Sequence, residues 1–227
     1  MTEKQTLPTP LQTTRKSGLW LLIGLMVFFH VSPNSVMAQM HQQWVDDQDG
    51  VGVDERTGIQ LPLDLWFTDD QGDRRQLFDL FDGTRPVMLS LNYSDCPMLC
   101  SVQFNNLTNT LKGMGFRPDT DFQIVSISLD PTETPSRARD TKDKYLALYN
   151  RPETAAGWHF LVGAPVEIRK VADTIGFKYK RIPNGHFVHP PLIVLCSPGG
   201  KIVRYIHGLE VEPGVLDQAL IEAAQGK

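Results

Sequence analysis

The chain is poor in cysteine, with three in 227 residues. Oxidising compartments pair cysteines into frameworks, and an odd number leaves one over. A disulfide scaffold is therefore not what holds this protein together. No run of five or more basic residues occurs, and 22 bases face 26 acids for a formal charge of −4. That balance argues against nucleic-acid binding, which draws on clustered Lys and Arg. Also missing is an apolar run of the roughly 20 residues that a membrane-spanning helix needs. The N-terminal stretch GLWLLIGLMVFF, Gly18–Phe29, has only about twelve. Finally, there is no Cys-x-x-Cys. The two close cysteines, Cys96 and Cys100 in SDCPMLC, have three residues between them.

The leader has the parts of an export signal: Lys4, Arg15 and Lys16, then the apolar run, then VSPNSVMAQ with small residues before a cut after Ala38. Residues 1–38 are expected to be a signal peptide, with an uncleaved anchor through residues 18–29 as the alternative. Residues 39–58 are polar, acidic and Gly-containing and are expected to form a flexible arm. The globular domain is expected over 59–227.

Within it, Leu63, Leu65 and Phe67 alternate ahead of DDQGD, which predicts an N-terminal β-hairpin. RPVMLSLNYS predicts a buried central strand. The segment from Cys96 to Gly115 has Leu99, Val102, Phe104, Leu107 and Leu111 at helical spacing, with Pro97 suited to its first turn and Gly113 or Gly115 to its end. Strands and helices then alternate, helices beginning near Pro135 and in APVEIRKVADTIG, until PPLIVLCSPGGKIVRYIHG predicts a closing hairpin ahead of a terminal helix. The order implies an α/β fold: a thioredoxin-like, mixed central sheet flanked by helices.

In that layout SDCPMLC lies between a core strand and the N-terminus of its helix, where unpaired N–H groups and partial positive charge favour a thiolate. Thiolates attack disulfides and bind soft metals. A metal site needs further ligands, and the chain offers six histidines. His30 is in the leader and His41 in the arm. His159 and His207 sit in or at the end of strands and are expected to be structural. NGHFVHPP, with His186 and His189, leads into the closing hairpin beside the helix end that carries the thiols. Thioredoxin-like folds hold a cis-proline loop there, and Pro190 and Pro191 occupy it. Two thiolates and one imidazole favour copper; zinc usually takes a fourth strong ligand, and residue types alone leave it open. Cys196, in LIVLCSP, is expected to be an inert core residue, and Met88, Met98 and Met114 to be packing.

Three segments in order carry a resemblance to a family. NYSDCPMLCSVQ, VSISLDPTETP and GHFVHPPLIVLCSPGGKIVRYIHGLE resemble those of the SCO/SenC copper chaperones, over roughly residues 57–224. The resemblance implies a thioredoxin-like fold and copper, Cu(I) or Cu(II), held by Cys96, Cys100 and His189. It implies Asp130 as an acidic residue near the site, Cys96 and Cys100 as a redox-active pair, and a role in assembling the dinuclear copper centre of cytochrome c oxidase, by copper delivery or by reduction of its cysteines. The partner would be the oxidase subunit carrying that centre, and the location the periplasm. PPLIV after His189 departs from relatives, which often carry small residues and a glycine there, so His186 is the alternative ligand. A metal-free thiol–disulfide oxidoreductase is the competing function, although Cys-x-x-Cys is the spacing it would favour. A peroxidase of the Thr-x-x-Cys type is disfavoured, because the residue three before Cys96 is Tyr93.

Overall fold

The computed structural model describes residues 49–96 and 99–226. The leader, residues 39–48 of the arm, and Pro97 and Met98 lie outside them, as do the side chains of Leu99 and Cys100. In chain order the elements are β1 (Gly52–Val53), β2 (Trp66–Asp69), β3 (Arg74–Gln76), β4 (Val87–Asn92), α1 (Leu99–Gly113), β5 (Gln123–Ser128), α2 (Pro135–Tyr149), β6 (Trp158–Val162), α3 (Pro165–Thr174), β7 (Phe177–Lys178), β8 (Lys180–Arg181), β9 (Phe187–Val188), β10 (Leu192–Cys196), β11 (Ile202–His207) and α4 (Pro213–Gln225).

Among the described residues the main sheet has seven strands in the order β11-β10-β4-β5-β6-β2-β3. β4, β5 and β6 are parallel, and the N-terminal hairpin β2–β3 and the closing hairpin β10–β11 extend the sheet antiparallel at its two sides. This is the expected thioredoxin-like mixed sheet. Strand alternation explains its two cores. Val87, Leu89, Leu91, Val125, Ile127, Leu192 and Val194 face one side, with α3 and the first hairpin. Met88, Ile124, Trp158, Phe160, Ile193 and Leu195 face the other, with α1, α2 and α4. Pro135, Pro165 and Pro213 each stand in the first turn of a helix, where the missing N–H costs nothing. Met88 and Met114 are buried packing residues, as expected; Met98 is outside the described residues.

Residues 56–59 run along the outer side of β11. Gly58 N–H donates to Ile202 O at 2.8 Å, Ile202 N–H to Ile59 O at 2.9 Å, and Arg56 N–H to the Tyr205 hydroxyl at 3.0 Å. β1 pairs with β7, and Asp54 N–H donates to Gly176 O at 2.8 Å. An edge strand left open is a template for unwanted pairing, and this segment covers part of one.

Candidate metal centre

The register of the sheet decides what meets what. β4 and β5 are parallel with Asn92 opposite Ser128, so the segments after them leave side by side. β10 is antiparallel to β4, with Val194 opposite Leu89, so the chain entering β10 arrives where β4 ends. Three segments distant in sequence therefore converge at the carboxyl end of β4: residues 93–96, 129–134 and 186–191. Ligand sites of open α/β sheets form at such strand ends.

Tyr93, buried and three residues before Cys96, joins the first of these segments to the third. Phe187 N–H donates to its hydroxyl at 3.2 Å, and the Phe187 ring packs edge-on at 5.5 Å between centroids. The His189 ring lies 6.3 Å and the His186 ring 6.5 Å from the Tyr93 ring. His189 also packs on Phe177 at 5.9 Å. Its Nδ1 lies 3.1 Å from Pro190 O. A carbonyl only accepts, so that contact puts the proton on Nδ1 and, in the neutral ring, the lone pair on Nε2. Both histidines thus stand round the same tyrosine, and His189 also touches Phe177. No described peptide bond is cis, so Pro190 and Pro191 are trans, unlike the proline of the loop expected at this place.

Cys96 is half-buried against the apolar core, and its N–H points to Tyr93 O at 3.4 Å. Cys100 is on the first turn of α1; its side chain is outside the described residues. Among the described residues no three His, Cys, Asp or Glu side chains converge on one point. The donors fit copper by their chemistry: a thiol at 96, a second at 100 on the same segment, and an imidazole whose Nε2 keeps its lone pair. Soft sulfur with imidazole is the donor set that selects copper or zinc over calcium or magnesium.

Glu133 joins the second segment to the first. Its carboxylate accepts from Ser94 N–H at 3.0 Å, from the Ser94 hydroxyl, and from the Ser128 hydroxyl at 2.7 Å. The Thr141 hydroxyl is 2.6 Å from Ser94 Oγ, and Arg137 pairs with Asp95. Asp130 does something else: its Oδ1 accepts from Thr132 N–H at 2.9 Å and from the Thr132 hydroxyl at 2.7 Å, closing the turn ahead of α2. The carboxylate that reaches the thiol segment is thus Glu133, three residues on. The sequence singles out neither Tyr93 nor Glu133 as part of the site: Tyr93 serves only to disfavour a Thr-x-x-Cys peroxidase, and Glu133 is not marked at all. The signal for each was present only as a neighbour of a motif, a tyrosine before the first cysteine and a glutamate inside DPTETP. A cavity of about 230 Å³ opens beside Ser94, lined also by Ser101, Arg137, Asp140 and Lys144.

The other thiol and the other histidines are occupied elsewhere. Cys196 is fully buried in the core, and burial pushes its thiol far above the ordinary range, so it is held as the neutral form. His159 accepts at Nε2 from the Gln123 amide nitrogen at 3.0 Å, in the orientation that lets the amide oxygen accept from Arg85. Burial, with Lys142 adding to it, lowers His159 to about 4. His207 is exposed and 2.7 Å from Glu55.

A family model described as SCO1/SenC matches residues 64–224. Among solved structures the chain is similar to a protein of Aquifex aeolicus VF5, at 25% identity and TM-score 0.66, over 76% of this chain and 96% of that one. Copper-bound ScoI of Arabidopsis thaliana matches at 20% identity and TM-score 0.59, over 75% of this chain and 99% of that one. A SCO1/SenC family lipoprotein of Bacillus anthracis str. Ames matches at 19% identity and TM-score 0.61, over 76% and 99%. The last two are likenesses of fold. No curated protein matches the chain.

Proposed function

Because this chain belongs to the SCO1/SenC family, we propose that it is an exported copper-binding protein that serves assembly of the dinuclear copper centre of cytochrome c oxidase. Cys96, Cys100 and His189 are its copper ligands, with His186 the alternative imidazole. Copper is cargo here, and the thiol pair either hands it on or reduces the cysteines of the oxidase subunit that receives it. One observation carries the reading most directly: the antiparallel run of β10 beside β4 brings His189 to within 6.3 Å, ring to ring, of the tyrosine three residues before Cys96. The copper-bound state of the Arabidopsis relative supports the choice of metal. For export, support comes from the leader composition and from the relative in Bacillus anthracis being a lipoprotein. No helix of the described residues is long and apolar enough to cross a membrane.

The residues divide the work by their chemistry. A thiol pair at a helix N-terminus supplies soft, exchangeable donors. Nδ1 of His189, tied to Pro190 O, would leave Nε2 as the nitrogen available to a metal; outer contacts of this kind commonly change metal affinity by roughly 10–100-fold when removed. Glu133 and Tyr93 hold the thiol and histidine segments in register without binding metal themselves.

Titration of the reduced chain with copper tests this. The expected result is one copper per chain, with thiolate-to-Cu(II) charge transfer in the visible spectrum and one paramagnetic species. His189→Ala weakens Cu(II) binding by at least about tenfold, whereas His186→Ala leaves it intact. A reduced chain that holds no copper yet rapidly reduces disulfides overturns the proposal in favour of a thiol–disulfide oxidoreductase. Cells lacking the protein are expected to lose oxidase activity and to regain it with the wild-type chain but not with Cys96→Ser.

A further inference from the structure

The hairpin beside the histidines is basic in a protein whose net charge is −4. Arg169 lies 4.2 Å above the Tyr179 ring, and Arg181 lies 5.8 Å from the Phe187 ring, with its Nε donating to Gly185 O at 3.1 Å. Lys170 neighbours Arg169 on α3, and Lys180 neighbours Arg181 on β8. Among the described residues, Arg169, Lys170 and Arg181 have no carboxylate within 4.0 Å, whereas Lys178 is neutralised by Asp54 at 2.7 Å. All three are exposed. Two acids, Glu167 and Asp173, lie on the same helix as Arg169 and Lys170, so these cations are only partly offset.

Two of the cations, Arg169 and Arg181, are attached to the candidate centre through rings. Tyr179 packs on Phe177 and on Phe187 at 6.0 Å each; Phe187 packs on Tyr93, and Phe177 on His189. Stacking on aromatics holds guanidinium groups in fixed positions while leaving their charge exposed. Arg181 is two rings, and Arg169 three, from Tyr93 on the segment that carries Cys96. Exposed charge acts over roughly one Debye length at physiological salt, and such rims set association rates and partner choice more than final affinity.

We propose that this rim, Arg169, Lys170 and Arg181, is the docking surface for a partner protein whose cysteine-bearing segment is flanked by acidic residues. The inference rests on the functional reading above in one respect, that Cys96 is the reacting thiol. An anionic membrane would also match the charge, but docking it on the rim would cover the site that must reach a protein acceptor.

The test uses three synthetic peptides, each with one cysteine activated as a thiopyridyl disulfide and flanked by Glu, Lys or Gln. The chain's thiolate attacks the peptide sulfur, a mixed disulfide forms, and pyridine-2-thione leaves and is counted by its absorbance. Cys196 is buried, so the fast phase reports the thiol segment. At low salt the Glu-flanked peptide is expected to react about tenfold faster than the Lys-flanked one, the order expected of electrostatic steering. The ratio falls towards one in 0.5 M NaCl and in the Lys170→Glu/Arg181→Glu double variant, while the Gln-flanked rate is unchanged. Equal rates at low salt, or a ratio that survives charge reversal, overturn the proposal. If the double variant misfolds, shown by a changed Gln-flanked rate, the wild-type salt series decides. Sedimentation of the chain with phosphatidylglycerol vesicles that is lost in the same variant also overturns it, in favour of a membrane surface. None of these readouts requires copper, so failure of the copper titration and failure of the docking surface are separate results.

Discussion

Glu133→Ala removes the acceptor of three hydrogen bonds at once: from Ser94 N–H, from the Ser94 hydroxyl and from the Ser128 hydroxyl. Hydrogen bonds to charged groups contribute about 1.5–3 kcal/mol each in mutational series, and less where water can replace the lost partner. Glu133 is half-buried, and Ser94 is only partly covered, so water recovers much of those two bonds. Ser128 is 4% exposed; its oxygen still accepts from Asp130 N–H at 3.2 Å, but its O–H keeps only a long 3.4 Å contact with Asp130 O, so its donor is left poorly satisfied. The net cost is expected to be about 2 kcal/mol. For a chain of this size that is a fall in Tm of roughly 4–8 °C. Glu133→Gln keeps one acceptor oxygen and is expected to lose about half as much. The neighbouring Arg137–Asp95 pair is the internal control. Its side chains are 50% and 65% exposed, and exposed pairs are worth about 0–1 kcal/mol, so Asp95→Ala is expected to change little. The assay is urea unfolding, combined with the rate of Cys96 alkylation in the native protein, which rises when its segment loosens. A Glu133→Ala variant within about 0.5 kcal/mol of wild type, with unchanged alkylation, refutes the reasoning that this carboxylate holds the thiol segment.

Two further outcomes are expected. His159 has a folded-state value of about 4 against an unfolded value near 6.5, because burial disfavours the charged ring. Below pH 6.5 the unfolded chain takes up a proton that the folded chain refuses, so stability is full above that pH and is lost as pH falls towards 4. The loss between pH 7 and pH 5 is about 2 kcal/mol. Urea unfolding at both pH values detects it, and His159→Gln is expected to lack this component. Gly176→Ala places a Cβ 1.9 Å from Asp54 O at a residue with φ +66°. Both the clash and the left-handed backbone oppose it. The variant is expected to lose at least about 2 kcal/mol and to be cut faster by trypsin at Arg56, because residues 52–54 must leave β7; unchanged digestion would show that this close approach is not what seats the segment.

Much of this protein is legible from local pattern. Apolar residues in RPVMLSLNYS and FQIVSISLD, helical spacing from Leu99 to Leu111, prolines at helix starts and SPGG between two strands each report a physical preference that acts within about fifteen residues. They were enough to order the elements and to place the two cysteines between a core strand and a helix. β7, β8 and β9 were not legible, since each is a two-residue pair, too short to show a period. Residue type and position made Cys96, Cys100 and the pair His186 and His189 candidates for a shared metal; the family resemblance singled out His189 and added Asp130 beside them. What those side chains touch depends on strand register. The antiparallel pairing of β10 with β4 puts the histidines around Tyr93, and the parallel pairing of β4 with β5 puts Glu133 under Ser94. Neither contact has any local signature, because its two partners are separated by 39 residues for Ser94 and Glu133 and by 94 for Tyr93 and Phe187. The kinds of chemistry available were thus set by the chain's composition and motifs, whereas the assignment of one carboxylate to a turn and another to the thiol segment was made only when the sheet brought three strand ends together.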